Sequence, residues 1–484
     1  MTRSATATLG LVLLTAGCAS VDPGPSFHNV AETVAERSGL EPSWARTSEE
    51  EDAAEAAAVE LLAAPLDDST AARIALLRNR ALLAEIEELG IARADYAQAT
   101  RLANPTLSAF RRTPSSGSGT NVEVEIAQDI LDVLVQPARK RLAAVELEAA
   151  KLRLGQTMLD LISEARIGFF ELVAAEESVD RAARVNDLTR AAAELARRQR
   201  DAGNLEEREV ALFEATDAQA LIDLTHARLD AGSAREKLNV LLGLSGVDTA
   251  WTAQRPLPDP PDQELELGSI ETRAVEQRLD LGAARFGVDL VGRALALKRG
   301  TRFFPVGIEV GLNQEKDTDG TRLRGPQIAI ALPIFDTGAA SIARLEAEQR
   351  RAQRQLEQLA IEIRSEVRLA RDQVLGARAL VDTYQAVLLP KRRSVLEQTL
   401  LHYNMMLLGV YDLLVARRDE TEAEHAATLA LRDYWIARAK LERAVGGPLG
   451  ALRELPTSDG SAAPAPPSPH EAHEHPAPSS GGPR

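Results

Sequence analysis

The sequence predicts a mainly α-helical protein with a small β component of membrane type, the whole plan written twice in tandem. Three observations carry this. The 484-residue chain is only 4% aromatic but dense in Ala, Leu, Glu and Arg, the mixture of long helices and coiled coils rather than of ordinary globules. Stretches of helical period far longer than a globular helix run over 138–200 and 338–401. Ahead of each stands a pair of short segments with a period of two, the signature of strands with one apolar face.

Charge and cysteine content narrow the class. With 56 basic against 72 acidic residues, a net of −16, the chain lacks the basic surface that nucleic-acid binding requires. The sole cysteine, Cys18, excludes an intrachain disulfide and a cysteine cage for metal. No apolar run reaches the roughly 18 residues of a spanning helix, so a membrane crossing would have to be made by strands. There is no Gly-rich phosphate loop ending in Lys-Ser/Thr, no paired-His zinc helix and no Gly-x-Ser-x-Gly elbow. No enzymatic activity, catalytic residue or cofactor is therefore expected.

Residues 1–17 read as a signal peptide: Arg3 precedes a weakly polar to apolar stretch, Ala5 to Ala16, too short to span. It ends at Leu14-Thr15-Ala16-Gly17-Cys18, which resembles a bacterial lipobox. That resemblance implies that Cys18 is lipidated and starts the mature chain, and Ala19 in place of Asp implies sorting to the outer membrane. Each buried lipid methylene contributes about 0.8 kcal/mol, so several chains on one cysteine form a firm anchor. The lipidated N-terminal segment then covers 18–65 and is acidic and Ala-rich from Ser48 to Ala64.

The first repeat occupies 66–247. Pro65, Asp67, Asp68 and Ser69 mark a helix start, helical spacing runs to Ala103, and Asn104-Pro105 stops it. A β-hairpin over 105–128 has a Ser/Gly-rich loop from Thr113 to Thr120, after which Val122, Val124 and Ile126 alternate with Glu123, Glu125 and Ala127. A long helical hairpin spans 138–242. Within it Leu147, Leu154 and Leu161, and Val145, Leu152 and Leu159, repeat every seven residues as a coiled-coil seam does, and Asp201-Ala202-Gly203-Asn204 reverses the chain. A linker over 248–268, Pro/Asp-rich from Pro256 to Pro261, leads to the second repeat at 269–447. There a helix from Ser269 to Arg299 precedes a β-hairpin over 303–332, with strands Phe303 to Asn313 and Leu323 to Leu332 around a polar loop, and a helical hairpin over 338–445 that turns near Tyr403 to Leu408. The Pro/Ala/Ser/His tail, 448–484, cannot bury a core and is expected to be disordered.

The halves align at an offset of about 203 residues: Ile130-Leu131-Asp132 with Ile334-Phe335-Asp336, Gly203 with Met406, Glu209 with Asp412, Gly243 with Gly446. Four strands per chain cannot close a lipid-facing barrel, whereas three copies would supply twelve, an allowed even number. In that arrangement Val122, Val124, Ile126, Val306, Ile308, Val310, Ile328 and Ile330 face lipid, and Glu123, Glu125 and Glu309 line the lumen. A soluble sheet with one wet face would show the same alternation. With strands in a membrane, the long helices project from one side and pack around an axis as a tube.

This organisation resembles the TolC-like outer-membrane efflux family over nearly the whole chain from Cys18 to Gly447. The resemblance rests on Leu89-Gly90-Ile91-Ala92-Arg93-Ala94 with Asn104-Pro105, on Leu332-Pro333-Ile334-Phe335-Asp336-Thr337-Gly338, on Ala202-Gly203-Asn204, and on Glu236-Lys237-Leu238 leading to Leu241-Leu242-Gly243. It implies a trimeric channel-tunnel: four strands per chain in a shared twelve-stranded outer-membrane barrel, a periplasmic α-helical coiled-coil barrel, and closable tips. Those tips would meet a periplasmic adaptor (membrane fusion) protein and an inner-membrane pump of the RND type. Phe27-His28-Asn29-Val30 with Val34, Arg37 and Trp44, and Tyr403-Asn404-Met405-Met406 with Gly409-Val410-Tyr411-Asp412-Leu413-Leu414, resemble its heavy-metal (CusC/CzcC-like) branch. The expected function is thus the outer-membrane channel of a tripartite efflux system exporting heavy-metal cations. A multidrug-efflux or type I secretion channel is the alternative. A periplasmic adaptor or structural coiled-coil lipoprotein is the rival class, and an adaptor would show one helical hairpin flanked by β-rich domains.

At the tips, Gly203, Asn204, Met405, Met406, Gly409 and Asp412 are the candidates for adaptor contact or gate. A threefold ring of Asp412 could gate or attract cations, or the residue could simply complement the helix dipole. The thioethers of Met405 and Met406 suit Cu(I) but equally suit packing at a mobile tip. In the tail, His470, His473 and His475 with Glu471 and Glu474 could bind Zn²⁺, Cu²⁺ or Ni²⁺ loosely.

Overall fold

The computed structural model describes residues 21–113, 115, 119–262, 269–302, 307–331 and 334–449; Cys18 and the His470, His473 and His475 cluster lie outside them. Two helices that the sequence reading did not assign occupy the N-terminal segment, α1 (Gly24–Ser38) and α2 (Ser48–Leu62). The second starts at a reciprocal cap: Thr47 Oγ1 accepts the Glu50 N–H and Glu50 Oε2 accepts the Thr47 N–H, both at 3.2 Å.

The helix expected up to Ala103 is instead two, α3 (Asp68–Arg78) and α4 (Arg80–Ala99). Asn79 breaks it with an extended backbone, φ −62° and ψ 113°. Its side-chain oxygen caps α4 by accepting the Leu82 N–H at 2.8 Å, and its Nδ2 donates to the Leu241 carbonyl at 2.9 Å. The second repeat breaks with the same extended backbone but without the side-chain cap: α7 (Ile270–Gln277) and α8 (Leu279–Gly300) are divided at Arg278, φ −62° and ψ 126°, whose guanidinium pairs with Asp280 and Glu366 at 2.6 Å and reaches the Ala444 carbonyl at 3.5 Å.

The long helix α5 runs over Ile130–Asp201, 72 residues and about 108 Å. It begins earlier than the expected start beyond Pro137 because the Asp129 carboxylate accepts the N–H groups of Leu131 and Asp132 at 2.8 and 3.3 Å. Pro137 is accommodated inside the helix at the loss of one backbone hydrogen bond. The returning α6 (Glu207–Leu242) ends at Gly243, φ +65°, where a Cβ would lie 2.2 Å from the Arg78 carbonyl oxygen. In the second repeat the helix expected from Gly338 to Leu401 is α9 (Ala339–Thr383), a π turn over Tyr384–Leu388, and α10 (Leu389–Asn404). Pro390 follows directly and cannot donate into a regular ladder, so the widened turn takes up the mismatch. The final α11 spans Val410–Val445 and closes at Gly446.

Strands β1 (Thr106–Arg112), β2 (Asn121–Asp129), β3 (Ile308–Lys316) and β4 (Arg322–Ile330) form one antiparallel sheet in the order β1-β2-β3-β4. The second loop is shorter than expected, because Gln314 to Lys316 continue β3. The core forms two clusters, one centred on each repeat, with Leu279 of the second repeat buried in the first cluster. Ile74, Leu82, Leu89, Leu154, Met158, Phe169, Leu238 and Trp251 are buried in one cluster; Ile270, Val367, Val374, Tyr434 and Leu441 in the other. Of the seam residues, Val145, Leu147, Leu154, Leu159 and Leu161 are buried and Leu152 is partly buried. Arg37 of α1 ties the N-terminal segment to the second repeat, donating to the carbonyls of Gln277 and Gly446.

Between α5 and α11 a polar pocket holds Glu177, Asp180, Arg181, Arg184, Glu424, His425 and Thr428 beside Pro256 of the linker. Burial, helped by the cationic Arg181 and Arg432, pushes His425 down to about 4. The unfolded chain holds that proton up to a pH near 6.5, so between these values it binds more protons than the fold. The His425 contribution is complete above pH 6.5 and is lost as pH falls toward 4; Glu177, its carboxyl raised by burial, works in the opposite sense. In His425→Gln the thermal midpoint should therefore fall less steeply than in the wild type between pH 6.5 and 4, with little difference at pH near 7.5. Parallel curves by circular dichroism would refute this.

Candidate functional site

Antiparallel partners share a face of the sheet, so the register sorts its side chains. Glu123 lies opposite Glu315, Glu125 opposite Asn313, and Asp129 opposite Glu309. One face thus collects Glu123, Glu125 and Glu309 together with Glu315 and Asp129, which the sequence reading did not single out. The other carries Val122, Val124, Ile126, Ile308, Val310, Ile328 and Ile330, joined by Leu107 and Leu312; Val306 lies outside the described residues. The apolar face is laid open in the single chain, with Leu107 73%, Leu312 65% and Ile328 65% exposed, the kind of surface that marks a contact with a partner or a membrane. Most of the acidic face is half-buried, as on the concave side of a curled sheet. There Asn313 Nδ2 donates to Glu123 Oε1 at 2.6 Å, Arg112 stands 3.6 Å from Glu123, and Asn121 Nδ2 donates to Glu315 Oε1 at 2.5 Å.

At the far end of the helices both hairpins turn by one design. The Gly203 N–H bonds to the Arg200 carbonyl and the Asn204 N–H to that of Gln199, both at 2.8 Å. The Met406 N–H bonds to Tyr403 and the Leu407 N–H to His402, both at 2.9 Å. The turn needs a left-handed residue, and φ is +78° at Gly203 and +61° at Met406, the one non-glycine with positive φ among the described residues. A side chain there costs roughly 1 kcal/mol. Met406 is 93% exposed and sits among the exposed Leu400, Leu401, Tyr403, Met405 and Leu407. Asp412 Oδ2 accepts the Gly409 N–H at 3.0 Å, so its carboxylate caps the start of α11.

The two tips are tied together through Tyr411, which the sequence reading placed in a motif without a role. Its hydroxyl donates to Gln199 Oε1 at 2.9 Å, and its ring stacks on Phe213 at 4.2 Å between centroids. Leu188, Leu212, Leu414 and Val415 complete an apolar groove around the pair. The only advance signal was the scarcity of aromatics. Among the described residues no three His, Cys, Asp or Glu side chains are grouped to hold a metal ion, and no helix is long and apolar enough to cross a membrane.

No family model matches the sequence. The chain is 24% identical over 397 residues to the cobalt-zinc-cadmium resistance protein CzcC of Cupriavidus metallidurans, covering 79% of this chain and 91% of that protein. Among solved structures it is similar to CusC, described for transmembrane channel formation, with a TM-score of 0.63 at 16% identity over 78% of this chain and 92% of that one. The open state of the MtrE outer-membrane channel of Neisseria gonorrhoeae gives a TM-score of 0.65 at 22% identity, over 79% and 89% of the two chains. The chain has the fold of the TolC-like outer-membrane efflux channels and resembles, in sequence, their heavy-metal branch.

Proposed function

We propose that three copies of this chain share one outer-membrane barrel and form the exit conduit of a tripartite efflux system whose cargo is transition-metal cations. The observation that carries the conduit is the sheet itself: one apolar face, one acidic face, and two edge strands, β1 and β4, each with its outer edge unpaired among the described residues. Hydrocarbon tolerates no open edge, and pairing β1 of one copy with β4 of the next satisfies both. The acidic face then lines the lumen, where Glu123, Glu125 and Glu309 recur threefold and attract cations. The likeness to CzcC, a protein named for resistance to cobalt, zinc and cadmium, supports the cargo. Selection rests with an inner-membrane pump of the RND type and its periplasmic adaptor, which meets the tips at Gly203, Asn204, Met405, Met406, Gly409 and Asp412. Cys18 carries the lipid anchor. Multidrug or type I secretion export is the second reading, and the same conduit would serve it.

Native mass spectrometry of protein extracted from outer membranes should give a trimer with an acylated Cys18 on each chain; a stable monomer with its own pore would end the shared-barrel reading. Single-channel reversal potentials in a salt gradient should show cation preference, weakened when Glu123, Glu125 and Glu309 are all replaced by Gln. Anion selectivity in the unaltered channel would mean that the strand faces are assigned backwards. A deletion strain should become sensitive to Zn²⁺, Co²⁺, Cd²⁺, Cu⁺ or Ag⁺ while tolerance of lipophilic antibiotics stays nearly unchanged. The reverse pattern would transfer the cargo to drugs.

A further inference from the structure

The apolar face of the sheet changes character toward its loops. From the helical end, Ile308 faces Ile330, Val310 faces Ile328, and Leu312 lies between Ile126 and Pro326. In the next row Gln314 lies between Val124 and Arg324. In the last, Arg111, Val122, Lys316 and Arg322 follow one another across all four strands. Arg111, Lys316, Arg322 and Arg324 are all exposed, and no acidic residue shares either row. The acids at that end are elsewhere. Glu123 and Glu315 are on the opposite face, where Glu123 stands near Arg112, while Asp317 and Asp319 sit in the loop and accept the backbone N–H groups of Thr318 and Thr321.

Four cations at the rim of a lipid-facing surface, with no acid of their own rows beside them, require counter-charge from the surroundings. From Ile308 to Lys316 the strand runs about 27 Å, which at the tilt of about 40° of a barrel strand is about 20 Å along the membrane normal, most of the roughly 25 Å apolar band. The basic rows therefore fall where hydrocarbon gives way to headgroups, and their long side chains can reach outward while the stems stay in the apolar layer. Guanidinium groups match phosphate oxygens two at a time.

We propose that Arg111, Lys316, Arg322 and Arg324 form a belt, repeated around the trimer, that docks the phosphate groups of lipid headgroups in the leaflet at the loop end. The belt sets the depth of the barrel and holds a ring of phosphorylated glycolipid around it. This rests on the reading that the sheet is a barrel wall with its apolar face outward.

The test uses the full-length protein in detergent, mixed with diphosphoryl lipid A or the same lipid enzymatically dephosphorylated, and counts retained lipid by native mass spectrometry. The wild type should retain the phosphorylated form about tenfold or more over the dephosphorylated one. The variant R111Q/K316Q/R322Q/R324Q should remain oligomeric and lose that preference, and Arg324→Gln alone should lose part of it. Equal retention of both lipids by the wild type overturns the proposal, as does a preference that inorganic phosphate at the lipid's concentration abolishes, which would mark a free-anion site. Val124→Trp separates this failure from failure of the wall reading. Quenching of the added fluorescence by brominated lipid, without phosphate preference, overturns the belt alone; absence of quenching overturns both.

Discussion

In each repeat one side chain at the helix break donates to a carbonyl at the end of the helical hairpin. Asn79 reaches the Leu241 carbonyl and Arg278 that of Ala444, both in the last turn of a returning helix, where carbonyls have no intrahelical donor. Both donors are buried; a buried amide such as that of Asn79 left without its partner costs about 1–3 kcal/mol, while Arg278 is anchored chiefly by Asp280 and Glu366, both at 2.6 Å. The break in each short-helix pair and the end of each hairpin are therefore one feature, seated on Gly243 and Gly446. From it follow the angle at which α4 and α8 lie along the long helices and the place where the strands leave them. The acidic face of the sheet is positioned by a joint many residues away in sequence.

That joint also marks the limit of what sequence could tell. The heptad leucines of α5 were legible because burial there depends on period alone. The breaks were not, since Ile74, Leu82, Ile86 and Leu89 keep helical spacing straight across Asn79, and the carbonyl that draws its side chain away belongs to another helix. Pro137 misled in the other direction: a capping Asp129 just upstream outweighs one lost hydrogen bond in a helix of this length. Gln314 to Lys316 read as loop because they are polar, but they pair in register with Val122 to Val124.

The candidate site divides along the same line. The common face of Glu123, Glu125 and Glu309 follows from a period of two, and Asp129 and Glu315 keep that period on the same strands; they fell outside because the strands run on past the expected ends at Gln128 and Asn313. Gly203 announced its turn by residue type, and Met406 could be found only by aligning one repeat on the other. The tie from Tyr411 to Gln199 and Phe213 joins positions about two hundred residues apart, and nothing local in the sequence encodes it.

The duplication is faithful in geometry but not in stiffness. The far half of α5 still buries Ala182, Asn186, Ala192, Ala193 and Ala196, whereas α10 buries no residue within the chain and begins just beyond a π turn. Segments with few buried contacts lie at the low end of local stability, and a π turn is where a helix bends. From Tyr384 to Asn404 the helix is a lever about 30 Å long. A bend of about 10° at its root would carry the Met405-Met406 tip about 5 Å, while the first hairpin stands as a fixed post. Mechanically, the molecule is a rigid pillar bound to a compliant one, and near the tips Tyr411 links them through its hydroxyl and its ring.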